Sequence, residues 1–247
     1  LDELQAAQAA MRRLRLDLAE VRTRRYRPAR RGRIDLRATL QRARHHAGEI
    51  VHLVHEQRVT RPPALVVLCD ISGSMSRYSR MLLHFVHALA LRRERVHTLV
   101  FGTRLTNITR LLQQRDVDVA LAQVTGGVSD WSGGTRIGAT LHDFNRIWSR
   151  RLLGQGAVVL LITDGLDRDA GAGLEAEMQR LRRSCRRLIW LNPLLRWDGY
   201  EARSRGAQAI LPQVDDFRPV HNLASLRDLA EVLSRPAPQR PLQRSAA

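Results

Sequence analysis

Along the first 21 residues the apolar positions Leu4, Met11, Leu14, Leu18 and Val21 recur near helical spacing with Arg and Asp between them, predicting a helix. The periodicity then stops in RTRRYRPARRGR (22–33), which reads as a basic linker punctuated by Pro28 and Gly32. A short helix over 36–44 and a strand around 50–54 follow. Arg61-Pro62-Pro63 closes this stretch, so the expected organisation is a basic, largely helical N-terminal extension over 1–63 and a separate domain over 64–234. From Ala64 the pattern changes to short, β-branched runs alternating with amphipathic segments. ALVVLC is continuous and apolar, as a strand buried on both faces should be. It ends at Asp70 and turns through Ser-Gly-Ser into a helix over 76–91 that is apolar nearly all round.

Strands are expected at 95–101, 157–163, 187–191 and 209–211, with 105–111 pairing on 95–101 as an edge hairpin. Helices are expected at 117–124, along Ile137, Leu141, Phe144 and Trp148, and along Leu174, Met178 and Leu181. A last helix opens on Ser225-x-x-Asp228 with Leu226, Leu229 and Leu233 facing inward. Pro236, Pro238 and Pro241 predict a disordered tail over 235–247. Strands alternating with helices imply an α/β, Rossmann-like, doubly wound and mostly parallel sheet. In that architecture ligands sit at the carboxyl ends of the strands. Asp70 and Asp164 each fall at such an end, and Thr135 lies in the Gly-rich loop between them.

Asp70-Ile71-Ser72-Gly73-Ser74 supplies a carboxylate and two hydroxyls within five residues, and Gly73 lets the turn tighten. With Thr135 and Asp164 this makes a hard-oxygen set, free of Cys and His, suited to Mg²⁺ or Mn²⁺. Five protein groups, some acting through water, leave a position that a partner's ligand can fill.

DISGS, GGT and TDG, in that order after β-runs, resemble the metal-ion-dependent adhesion site of von Willebrand factor A (VWA) domains, over Ala64 to about Ser234. The resemblance implies that Ser72, Ser74 and Thr135 bind the metal through hydroxyls, that Asp70 and Asp164 hold it directly or through water, and that an acidic residue of a partner completes the shell. WSGGTRIGATLHDF, RRLIWLNPLLRWDGYEARSRG, PQVDDFRPVHNLASL and the upstream RRYRPARRGRIDLRATLQRA are similar to the CoxE-like family of bacterial VWA proteins. That likeness implies a non-enzymatic adaptor working with a MoxR-type AAA+ ATPase. The client it implies is a metalloenzyme, in the best-known setting a molybdenum hydroxylase of the carbon monoxide dehydrogenase type. Family members usually carry a longer N-terminal part, and this chain begins with Leu, so a fragment or processed chain is expected.

Composition narrows the alternatives. No run approaches the ~20 apolar residues of a membrane span, and the start has no signal-peptide h-region. Two widely spaced cysteines, Cys69 and Cys185, give no disulfide framework, which points to a reducing, cytoplasmic setting. The net charge is +17, and all 41 basic residues are Arg. Without Lys there is no P-loop. Ser72 stands where a haloacid dehalogenase-type phosphotransferase needs a second Asp, and neither Ser72 nor Ser74 lies in a G-x-S-x-G elbow.

His52-Leu-Val-His55-Glu56 fits neither zinc-protease order, and His84 and His87 read as structural. Asp167, Asp169 and Asp130 read as solvated loop residues, with a supporting role beside the metal as the alternative for Asp130. Trp131 faces either a partner groove or the domain, whereas Trp197 and Tyr200 are expected to cover a core edge, the alternative being a family-specific contact surface. A compositional preference for Arg explains the general basic excess, but 22–33 is denser than that requires. RNA or other nucleic-acid binding by this run, with Tyr26 stacking a base, is therefore the rival reading.

Overall fold

The computed structural model describes residues 18–46, 49, 52–92, 95–127, 134–154, 156–197 and 199–234. The helix expected over 1–21 lies mostly outside these residues, as do the tail, Asp130 and Trp131; Leu18 to Glu20 are not helical and Val21 already begins a strand. The chain divides into two compact units, 20–62 and the remainder.

In the smaller unit the expected linker is a strand. β1 (Val21–Ala29) pairs antiparallel with β3 (His55–Arg61), which also pairs with β2 (Arg33–Ile34). One helix, α1 (Leu36–Ala43), is capped by Asp35, whose carboxylate accepts from the Ala38 amide at 3.0 Å. The expectation of a largely helical extension is thus corrected for its described part, and residues 52–54 precede β3 without being part of it. Charge density misled here. Arg is compatible with a strand whose side chains alternate into solvent, and Val21 and Thr23 take the buried positions between exposed Arg22 and Arg24.

The larger unit is built on a six-stranded sheet in the order β6-β5-β4-β7-β8-β9, where β4 is Leu65–Asp70, β5 Val96–Phe101, β6 Leu105–Asn107, β7 Val158–Ile162, β8 Arg187–Asn192 and β9 Asp216–Pro219. All neighbours are parallel except the β5–β6 edge hairpin. β4, β7 and β8 are buried along their whole length, which explains the apolar runs 65–69, 158–162 and 188–191 within them.

Alternation splits β4 between two cores. Leu65, Val67 and Cys69 join a layer with Leu82, Phe85 and Val86 of α2 (Ser76–Arg92), Val124 of α3 (Val117–Gly127) and Leu229 of α7 (Leu223–Ser234). Val66 and Leu68 join a second layer with Leu141 of α4 (Ile137–Asp143), Leu181 of α5 (Leu174–Ser184) and Ile210 of α6 (Arg205–Ile210). This is the expected doubly wound α/β arrangement.

Two local expectations need correction. Residues 209–211 belong to the end of α6 and a 3₁₀ turn, and the last strand is β9, where Phe217 stacks on Trp190 at 4.3 Å. A short apolar run does not by itself separate strand from helix. The last helix begins before Ser225. Asn222 caps it, accepting from the Ser225 amide at 2.8 Å, while the Ser225 hydroxyl donates back to the Asn222 carbonyl at 2.8 Å.

Two histidines of α2 are buried. His87 lies 2.7 Å from the Gln114 carbonyl, and His84 is buried with burial lowering its pKa. No cluster of three or more His, Cys, Asp or Glu able to hold a metal occurs among the described residues.

Candidate metal centre

The site begins where β4 stops. Asp70 is its last residue and has no exposed surface, and the chain leaves through a 3₁₀ turn (Gly73–Met75) closed by the Met75 amide on the Ser72 carbonyl at 3.0 Å. Gly73 is not among the glycines with positive φ, so the tightness comes from this turn rather than from left-handed backbone.

One oxygen of Asp70 accepts from the Ser72 amide at 2.9 Å and the Thr135 hydroxyl at 3.4 Å. The other accepts from the Thr163 hydroxyl at 2.8 Å. Ser72 and Ser74 place their hydroxyl oxygens 3.2 Å apart. Asp164, 2% exposed, lies just past β7; one of its carboxylate oxygens accepts from the Leu166 amide at 3.0 Å, and its charge raises the pKa of Asp70. Asp70, Ser72, Ser74, Thr135 and Asp164 therefore come from three separate segments to one sheet edge.

Burial is the main cause that pushes the Asp70 carboxyl up to about 6, with Asp164 adding to it and the Ser72 and Thr163 hydrogen bonds opposing it. In a chain with 41 basic residues, neither Asp70 nor Asp164 has an ion-pair partner among the described residues. Two buried carboxylates without a counter-charge, beside three hydroxyls, fit a small hard cation; Cys and His ligands for a softer metal are absent from the set.

Sequence reasoning missed the parts that hold the loops. Thr163, immediately before Asp164, fixes Asp70, while its carbonyl accepts from the Trp190 indole N–H at 2.9 Å. The Asn192 amide nitrogen is 3.4 Å from the Asp164 carbonyl and 3.0 Å from the Tyr200 hydroxyl. Gly165 turns the chain at φ +80°, and a Cβ there would lie 3.1 Å from the Trp190 ring. Trp197, expected to cover a core edge, is instead 59% exposed, with the Arg196 guanidinium 4.2 Å from its ring centroid.

Asp167 is not a solvated loop residue. One of its oxygens accepts from the Ile137 amide at 2.8 Å and the other from the Gly171 amide at 2.7 Å. The side chain of Arg136, at the N-cap of α4, has no acceptor, so Asp167 caps that helix from across the site and ties the Thr135 loop to the loop after Asp164. Asp167→Ala is expected to lower stability by roughly 1–3 kcal/mol and Asp167→Asn by less, since one acceptor oxygen remains. Urea midpoints of the two variants check the order.

A cavity of about 590 Å³ opens over these loops, lined by Ser72, Ser74, Thr135, Leu166, Arg168 and Arg205 among others.

The profile of the family described as "VWA domain containing CoxE-like protein" matches residues 7–226. No curated protein matches the chain. Similar solved structures include a von Willebrand factor type A protein from Catenulispora acidiphila, with 16% identity and TM-score 0.48, covering 73% of this chain and 44% of that one. Proximal thread matrix protein 1 from the mussel byssus is similar at 18% identity and TM-score 0.47, covering 70% and 47%. The same mussel protein with a zinc-occupied MIDAS motif is similar at 16% identity and TM-score 0.44, covering 70% and 47%. This chain thus spans less than half the length of these structures. With the family profile matched over most of its length, the chain belongs to the VWA-domain-containing CoxE-like proteins.

Proposed function

We propose that this chain is a non-enzymatic, metal-dependent protein-binding adaptor. Asp70, Ser72, Ser74, Thr135 and Asp164 would hold Mg²⁺ or Mn²⁺, and an acidic side chain of a partner would complete the shell. The observation that carries the reading is the pair of buried carboxylates with no ion-pair partner among the described residues, set beside three hydroxyls at the carboxyl edge of the sheet. The cation supplies a Lewis-acidic docking point for a carboxylate. The chain's own residues hold it in place: Thr163 and the Ser72 amide fix Asp70, and Asp167 fixes the loop that carries Thr135.

A binding role is supported by the hydrogen bonds of the site hydroxyls, which go to one another and to Asp70 rather than to a histidine base. Family membership supports a MoxR-type AAA+ ATPase as partner and a metalloenzyme, such as a molybdenum hydroxylase of the carbon monoxide dehydrogenase type, as client. A reducing, cytoplasmic setting is supported by two buried cysteines, Cys69 and Cys185, which belong to opposite core layers and are not joined to each other. No helix among the described residues is long and apolar enough to cross a membrane.

The direct test is a Mg²⁺ and Mn²⁺ titration followed by melting. Cation binding to the native state alone adds about 2.7 kcal/mol at 100 times Kd, a Tm rise of roughly 5–10 °C for a domain of this size. An unchanged melting curve would sink the metal reading. Capture of the ATPase and client should fail in EDTA and in Asp70→Ala.

The small unit supports a second reading, nucleic-acid binding. Residues 20–62 hold twelve arginines against four acidic residues. Arg33 and Arg58 place their guanidinium carbons 5.6 and 5.7 Å from the Tyr26 ring centroid, and Arg58 donates to the Tyr26 hydroxyl at 3.0 Å. RNA held there should be released steeply by salt and be indifferent to EDTA, the reverse of a cation-bridged protein contact.

A further inference from the structure

We infer that Arg168 and Arg205 form an anion subsite beside the proposed cation, so that the docking segment carries two carboxylates, one for the cation and one for the arginines. This rests on the metal reading above and extends it to the chemistry of the partner. The two arginines line the same cavity as Ser72, Ser74 and Thr135.

Their stems are held by the loops of the centre itself. The Arg168 amide donates to the Thr135 carbonyl at 2.8 Å, and its Cδ would stand 3.2 Å from a Cβ placed on Gly134, so this side chain crosses the residue preceding Thr135. Arg205 follows Ser204, whose hydroxyl donates to the Gly165 carbonyl at 2.9 Å and accepts from the Ala207 amide at 3.1 Å. A Cβ on Gly206 would lie 2.4 Å from that same Gly165 carbonyl oxygen. The start of α6 is therefore pressed against the turn that carries Asp164, and Arg205 goes with it.

The nearby carboxylates are already engaged. Asp167 is spent on the Ile137 and Gly171 amides, and Asp169 lies 3.6 Å from Arg136. Elsewhere arginines meet acids, as Arg187 does at Asp216 (2.8 Å) and Arg203 at Glu201 (2.6 Å). Arg168 and Arg205 are exposed and have no ion pair among the described residues.

A guanidinium matches a carboxylate in a planar, two-pronged geometry, and partly exposed arginines give up little hydration to meet one. The cavity volume lies within the ~300–1,000 Å³ of typical ligand pockets, enough for a short segment. Leu166, 49% exposed, gives its backbone and apolar stems a surface to rest on. A peptide bearing an acidic pair fits this arrangement; a single acidic residue leaves the arginines unused.

The test uses fluorescent peptides with one Asp followed, one to four positions later, by Glu, each against the same peptide with Gln there. Anisotropy is read in Mg²⁺ on the full chain and on the double variant Arg168→Gln/Arg205→Gln. Mn²⁺ binding is measured separately, by electron paramagnetic resonance without peptide. For at least one spacing the doubly acidic peptide should bind about tenfold or more tightly than its Gln counterpart. The double variant should lose that advantage while binding Mn²⁺ as the parent does. Equal binding of paired peptides, no peptide binding, or an advantage that survives the double variant overturns the subsite even when Mn²⁺ binds. Failure to bind Mn²⁺ overturns the metal reading and the subsite with it.

Discussion

Asp70→Asn should make the metal-free protein more stable at pH 7.5 while removing its thermal response to Mg²⁺. Asp70 is fully buried, and its carboxyl is pushed from 3.8 to about 6, first by burial and then, with opposing hydrogen bonds, by the charge of Asp164. A pKa raised in the folded state stabilises it below the unfolded value. That contribution is lost as pH rises through the folded value, here across about pH 4 to 6. The shift amounts to about 3 kcal/mol at neutral pH. Asn avoids the charge, but its amide replaces one acceptor, so the hydroxyl of Thr163 or the amide of Ser72 must adjust. The expected net gain is about 1–2 kcal/mol, a Tm rise of a few degrees. Melting curves in EDTA should show the variant ahead at pH 7.5 and the difference gone near pH 4. Mg²⁺ should move only the parent. A variant less stable than the parent at pH 7.5 in EDTA would mean that the carboxylate is not strained by its burial.

Trp190→Ala should be the most damaging single substitution behind the site. Trp190 is fully buried in the middle of β8, stacks on Phe217 and donates to the Thr163 carbonyl. Losing a buried aromatic of this size costs about 3–5 kcal/mol, a large part of the ~5–15 kcal/mol that holds a domain together. Trp190→Phe separates volume from polarity. It keeps much of the packing but leaves the Thr163 carbonyl without its donor, at a cost of roughly 1–3 kcal/mol. Because Thr163 also fixes Asp70, the Phe variant should remain folded and bind Mn²⁺ more weakly. Denaturation in urea gives the stability order, and Mn²⁺ titration of the Phe variant gives the coupling. Parent-like Mn²⁺ affinity would show that Trp190 supports the fold alone.

Much of this molecule was legible before its structure. The runs ALVVLC and AVVLLIT are short, β-branched and bounded by turn residues, which favours strands buried on both faces, and they place Asp70 and Asp164 at strand ends. The order DISGS, GGT, TDG points to a VWA domain, and segments such as RRLIWLNPLLRWDGYEARSRG to the CoxE-like family whose profile matches residues 7–226. The failures have separate physical causes. Twelve positions of dense Arg looked like a linker because charge says only that side chains reach water, and an exposed strand satisfies that as well as a loop does. Residues 209–211 were too short a run for period to decide.

The sequence by itself determined the parallel α/β sheet, the two carboxylates at its edge and the hydroxyls that accompany them, because burial pattern and residue chemistry are local properties of the chain. The tertiary structure alone decided which groups hold that edge together. Thr163 reaches Asp70 from just past the neighbouring strand, Asp167 caps a helix that starts thirty residues earlier, and Arg168 and Arg205 come to one cavity from a loop and from the start of α6. A side chain's hydrogen-bond partner depends on which strands lie side by side, and spacing along the chain carries no record of that.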